Sequence, residues 1–208
     1  SGRGGATGAG GGWGGVGGVG GGRSVVGWGW GGGGGGEGGE GIVGREGRVG
    51  TVRVGGVLKN GSSFAEFDIP KKPVPLDTQI DPELASAALG LVPSEMGFEN
   101  HKPSRWSAGV DYDFVPVRTI DALKRCRLDR RVFDKAFPSK SAYVYTRETL
   151  SNENDFQARM FAPGQGIEED PATGSAVAAF AGVVKQFDQP PGGIHRYRTQ
   201  QGPSTHTL

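Results

Sequence analysis

Three consecutive carboxylates, a proline and then Thr-Gly-Ser make up "EEDPATGSA", residues 168–176, inside the run "MFAPGQGIEEDPATGSAVAAFAGVV" from Met160 to Val184. An acid just ahead of a helix can take or return a proton, or orient a polar group of a ligand, and Asp170 holds that position. Thr173 and Ser175 add hydroxyls, and Gly174 lets a ligand approach the backbone. The apolar run that follows predicts a helix. Its start would have free N–H groups and a partial positive charge, suited to a carboxylate or other anion. The same residues also read as an ordinary cap, with Asp170, Thr173 and Ser175 satisfying the first turn. On spacing alone caps are commoner than sites, and both readings stay open at this level.

Other chemistries do not fit the spacing. Adjacent Glu168, Glu169 and Asp170 point in different directions and do not match the alternating ligands of a calcium loop, so no metal is expected. "GQGIEEDPATG" has no Lys-Ser/Thr after its second glycine, unlike a phosphate loop. Ser175 lacks the G-x-S-x-G frame of a nucleophile elbow. His101, His195 and His206 have no recognisable partner in the sequence and read as structural or surface histidines. Cys126, in "KRCRLDRR", reads as a small packing residue on a helix whose other face is solvated.

The elements that must position Asp170 can be read from the flanking sequence. "TGSAVAAFAGVVKQF" (173–187) has Val177, Ala178, Ala181, Val184 and Phe187 at helical spacing and almost no polar face, the pattern of a buried helix. "SAYVYT" (141–146) and "DFQARMF" (155–161) are the clearest strands, the second alternating Phe156, Ala158 and Met160 with Gln157 and Arg159. "APGQGIEEDPA" is the loop into the helix, and "HRYRTQQG" (195–202) a closing strand. Upstream, "GRVGTVRVGG" and "SSFAEFDIP" read as a hairpin turning at Asn60-Gly61. "DPELASAALGL" reads as a helix with Asp81 as N-cap, Pro82 first and Gly90 as its stop. "YDFVPV" (112–117) reads as a strand, and one or two helices follow in "TIDALKRCRLDRRVFDKAF". Strands outnumber helices without regular alternation, which predicts an α+β fold around one buried helix, about 174–187.

Composition divides the 208 residues unevenly, since 28 of the 41 glycines fall in the first 50. Residues 1–41 are low-complexity sequence with too little apolar side chain to offset glycine's loss of backbone entropy, and are expected to be disordered. Two readings of the tract compete: an interaction arm whose Arg3, Arg23 and tryptophans stack on single-stranded nucleic acid, or a linker-like or artefactual tract. Two arginines make a poor electrostatic footprint. Residues 42–208 have ordinary globular composition and form the foldable part. With 23 basic against 22 acidic residues and no block of one sign, neither nucleic acid nor an anionic membrane is expected as a partner. A single cysteine rules out an internal disulfide framework, and no apolar run approaches a membrane span. The expectation is a soluble cytoplasmic protein.

"ARMFAPGQGIEEDPATGSAVAAFAGVV" resembles the signature of the PhzF-like, phenazine-biosynthesis-like isomerase family, of diaminopimelate epimerase-like fold. "GREGRVGTVRV", "LASAALGL", "RWSAGVDYDFVPVRTIDAL" and "YVYT" fall in the order the family's second lobe requires, so the resemblance spans residues 43–202. It implies a curved, mostly antiparallel sheet wrapped around a central helix, and a site where the helix N-termini of two such lobes face each other. It also implies a cofactor-independent proton shift on a small carboxylate-bearing metabolite. By motif position, Asp170 and Ser175 are the implied catalytic residues, with Thr173, Gly174, Ser175 and Ala176 against the substrate. The family's principal acid/base glutamate and Gly-His motif belong to a first lobe. "GGATGAG" (4–10) has glycine where that histidine should stand, and no residue matches the glutamate. The expected inter-lobe face would leave apolar surface to be covered, which makes a homodimer an expectation. Three functions therefore compete: the isomerase, an inactive half-enzyme that binds a small anion, and a glycine-rich interaction protein.

Overall fold

The computed structural model describes the backbone of residues 13–20, 23–31, 40–47, 50–59 and 62–68, and residues 69 and 71–202 throughout. Five strands precede the first helix: β1 (Trp13–Gly20), β2 (Arg23–Gly31), β3 (Glu40–Gly47), β4 (Gly50–Lys59) and β5 (Ser62–Asp68). After them come β6 (Val74–Pro75), α1 (Pro82–Leu89), β7 (Ser104–Ser107), β8 (Asp111–Pro116), α2 (Ile120–Arg125) and α3 (Arg130–Ala136). The chain continues with β9 (Ala142–Thr146), β10 (Phe156–Ala162), β11 (Ile167–Asp170), α4 (Gly174–Asp188) and β12 (His195–Gln201). All the strands join one curved, unclosed sheet in the order β3-β4-β5-β2-β1-β12-β10-β9-β8-β7-β6, with β11 paired to β10. β8 with β9 and β10 with β12 are parallel; every other pairing is antiparallel. This is the α+β arrangement expected.

The helix signals act where the sequence puts them. Asp81 accepts the Glu83 N–H at 2.9 Å, Pro82 opens α1, and Gly90 ends it at φ +67°. Thr119 and Asp129 cap α2 and α3 in the same way. β4 and β5 pair with Lys59 opposite Ser62, as the hairpin requires, while Asn60 and Gly61 themselves lie outside the described residues. β1 and β2 run through the tract whose composition predicts irregular chain. A strand ladder needs only backbone N–H and C=O groups, which glycine supplies as well as any residue. His206 and the rest of 203–208 lie outside the described residues.

Alternation along the strands sends side chains to two different cores. Tyr112, Phe114, Tyr143, Tyr145, Phe156, Ala158 and Met160 face α4, meeting Ala176, Ala179, Phe180, Val183 and Phe187. Val115, Ala142, Val144 and Phe161 face the other way, onto α1, α2 and α3. Helices therefore cover both faces here, and the polar residues that alternate along β10, Gln157 and Arg159, are buried together with the apolar ones. The α4 side is aromatic, with Phe180 edge-on to Tyr145 and Phe156 at centroid distances of 4.7 and 5.1 Å. α4 comes so close to β7 that a Cβ on Gly182 would lie 2.4 Å from Trp106 Cε3 and 2.7 Å from Pro73 Cβ. Cys126 is fully buried, as a packing residue should be, and burial pushes its thiol up to about 12.

The C-terminal end of α4 is tied down by charge. Asp188 Oδ1 accepts from His101 Nε2 at 2.7 Å and from Arg147 at 2.6 Å, and His101 Nδ1 lies 2.9 Å from the Tyr145 hydroxyl. Arg147 also pairs with Glu99 at 3.2 Å and stacks over Phe156. His101 thus has partners that the sequence did not reveal, 44 and 87 residues away. Glu99, His101 and Asp188 place their donor atoms within 4.8 Å of one another, and the cation among them is the Arg147 guanidinium. Among the described residues no helix is long and apolar enough to cross a membrane.

Two expectations follow. Gly182→Ala forces the helix off Trp106 and Pro73, and chemical denaturation should show a loss of about 1–3 kcal/mol. Although burial pushes Asp188 up, its hydrogen bond from His101 and the Arg147 charge outweigh that and hold its carboxyl below the ordinary value. A depressed carboxylate stabilises the fold above the unfolded value, about pH 4, and the contribution is lost as pH falls through the folded value. Asp188→Asn should cost about 1–3 kcal/mol at neutral pH and flatten the acid limb of a stability-against-pH curve.

Candidate functional site

β11 brings the three carboxylates to the start of α4. It pairs with the second half of β10, Asp170 opposite Met160, with a register shift between Phe161 and Ala162. Arg159 fixes the strand: its guanidinium meets both oxygens of Glu169, at 2.8 and 2.7 Å, and also donates to the last carbonyls of α2, at Leu123 and Lys124, and to Cys126. The segment read as a loop thus contains a short strand, and Glu169 is its anchor rather than loop surface. Glu168 does lie at the surface, in an exposed pair with Arg130 at 3.0 Å.

Asp170 turns back onto the residues that follow it. One carboxylate oxygen accepts the Ala172 N–H at 3.1 Å, and the other accepts the Thr173 hydroxyl at 2.6 Å. Pro171 between them has no N–H to compete. Thr173 is the residue ahead of α4, yet its side chain does not cap the helix. Its hydroxyl is directed to Asp170 and to Gln201, whose Nε2 lies 3.1 Å away. Among the described residues no acceptor meets the N–H of Gly174 or Ser175. These groups, with the helix's partial positive charge of about half a unit, remain available at a half-exposed position beside Asp170. The cap reading of Asp170, Thr173 and Ser175 is therefore not the arrangement found, because the cap oxygen is turned away from the helix.

Ser175 is exposed, and its hydroxyl lies 2.5 Å from that of Tyr112 on β8. Tyr112 is buried. Burial raises its phenol, the Ser175 bond lowers it and the Asp170 charge raises it again; the net direction is up, so it stays protonated at neutral pH. Ala176 stands apart from the other residues expected against a ligand: its side chain is in the aromatic core and its N–H is given to the Thr173 carbonyl. Asp170, Gly174 and Ser175 thus share the mouth of α4, and Thr173 faces Asp170 from behind. The sequence did not single out Tyr112 or Gln201, which arrive from 63 and 28 residues away. The one signal for Tyr112 was its place on the same strand face as Phe114; Gln201 carried none.

The start of α4 offers a carboxylate, a hydroxyl and, among the described residues, two N–H groups without an acceptor, which suits proton transfer to or from a small bound anion. The chain is 47% identical over 163 residues to an uncharacterized isomerase of Mesorhizobium japonicum, covering 76% of this chain and 54% of that protein. It is 28% identical over 100 residues to an uncharacterized isomerase of Bacillus subtilis, covering 46% of this chain and 33% of the other. It therefore spans about half or less of these curated relatives. The fold is similar to the crystal structure of a PhzF-family phenazine biosynthesis protein of Bacillus anthracis, with TM-score 0.62 at 20% identity over 70% of this chain and 50% of that one. The family described as phenazine biosynthesis-like protein matches residues 39–206, and the chain belongs to that family.

Proposed function

We propose that this chain forms one wall of a cofactor-independent isomerase site that shifts a proton on a small carboxylate-bearing metabolite. The observation that carries this reading is the uncapped start of α4: Thr173 gives its hydroxyl to Asp170, leaving the N–H groups of Gly174 and Ser175 open beside a carboxylate. The N–H groups would take the substrate carboxylate, and the half-exposed Asp170 would take or return the proton. Ser175, held by Tyr112, would add a directed hydroxyl to the same anion. The opposing base, by the family resemblance, belongs to a first lobe. A reaction at this wall needs that group within hydrogen-bond reach of the substrate.

The test is exchange with solvent. A panel of small carboxylates incubated with the protein in D2O and followed by proton NMR should show deuterium entering one of them. Asp170→Asn should lower that rate by about 10²-fold or more while leaving the thermal midpoint within a few degrees. An unchanged rate in Asp170→Asn would remove Asp170 from the reaction. Saturable binding of a carboxylate with no exchange in any member of the panel would favour the half-enzyme that only holds an anion.

A further inference from the structure

We propose that Gln201, the last residue of β12, is a positioning residue that sets the direction of the Thr173 hydroxyl. In this way it both aims the Asp170 carboxylate and keeps the start of α4 uncapped. The inference rests on the reading of that helix start as the site. Gln201 is buried, and its amide meets three groups of the Asp170–Thr173 turn. Oε1 accepts the Thr173 N–H at 3.2 Å, while Nε2 donates to the Asp170 carbonyl at 2.9 Å and to Thr173 Oγ1 at 3.1 Å. Turning the amide over would set Nε2 against an N–H and Oε1 against a carbonyl, so one orientation alone satisfies the turn.

That orientation decides the threonine. With Nε2 donating to Oγ1, the hydroxyl's own hydrogen must go elsewhere, and the acceptor in reach is Asp170 Oδ2 at 2.6 Å. The order of donation is therefore Gln201 to Thr173 to Asp170. A threonine ahead of a helix ordinarily turns its oxygen to the N–H of the second or third helical residue. Here Gln201 and Asp170 hold that oxygen from the other side, and the N–H of Ser175 stays open. β12 lies alongside β10 in parallel, with Ala158 opposite Gln201, and the Gly202 N–H donates to the Ala158 carbonyl at 3.1 Å. The amide is thus anchored to the sheet and not to the loop that it orients.

The proposal is tested with acetate as the probe, by following the Gly174 and Ser175 amide resonances, and with the Thr173 χ1 angle from three-bond couplings. Wild type should bind acetate saturably at those two amides. In Gln201→Met the threonine should leave its rotamer and cap the helix, weakening acetate about fivefold, the equivalent of one cap hydrogen bond. In a Thr173→Val background, which has no oxygen to offer, adding Gln201→Met should weaken acetate no further. The double variant Gln201→Met/Thr173→Val should recover the affinity that Gln201→Met loses. A purely structural role for Gln201 predicts no such recovery, and its observation would exclude that role. An unchanged χ1 in Gln201→Met, no acetate response in wild type, or a double variant as weak as Gln201→Met would each overturn the proposal. Because neither readout needs turnover, they stand apart from the deuterium test: acetate binding with rescue but no exchange would keep Gln201 as the positioning residue and favour the half-enzyme over the isomerase.

Discussion

Between Gly182 and the Trp106 ring there is no room for a methyl group, and that close approach seats α4 low on the aromatic face of the sheet. Phe180 then reaches Phe114, Tyr143, Tyr145 and Phe156, and the helix loses almost its whole circumference to the core. A helix held so firmly cannot tilt to satisfy its own ends. Each end has to be completed by whatever the surrounding sheet presents, and the two are completed in opposite ways.

At the C-terminal end the surroundings close over the helix. Asp188 is met by His101 and Arg147, and the aromatic rings of Phe98, Phe156 and Phe187 pack around the histidine, two of them also under the guanidinium. The Arg147 guanidinium there also lies near the negative pole of the helix. At the N-terminal end the nearest polar groups satisfy one another and leave the helix out: Gln201, Thr173 and Asp170 form their own chain of hydrogen bonds, and Tyr112 takes the Ser175 hydroxyl. In ordinary structural terms that is wasteful, because a cap is commonly worth about 1 kcal/mol. Local rules of stability tend to be broken at functional sites, and among the described α-helices this start is the one where a strong cap candidate is present and unused.

Much of the layout was legible from local chemistry. Asp81, Pro82 and Gly90 bound α1 as their types require, the β-branched and aromatic run of β9 is a strand, and the nearly all-apolar 174–187 segment is the buried helix. The signature around Asp170 carried the family as well. Where the local reading fell short, a distant partner intervened. Arg159 and Gln157 are the polar residues alternating along a strand, and are buried because α2 and its neighbours cover that face; Glu169 looked like loop, and is an anchor because Arg159 sits across from it. His101 looked partnerless because both of its partners are far along the chain.

The residue types and spacing of "EEDPATGSA" determined that an acid, two hydroxyls and a glycine would meet at the start of a buried helix, since those are consequences of helical period and of neighbours in sequence. They left undecided whether the threonine oxygen would cap that helix or turn away from it. A hydroxyl has several acceptors and donors within reach, and their competition is settled by groups that only the fold supplies. Here the supplier is Gln201, brought 28 residues along the chain to the turn by the parallel pairing of β12 with β10, and its amide admits one arrangement of the donors.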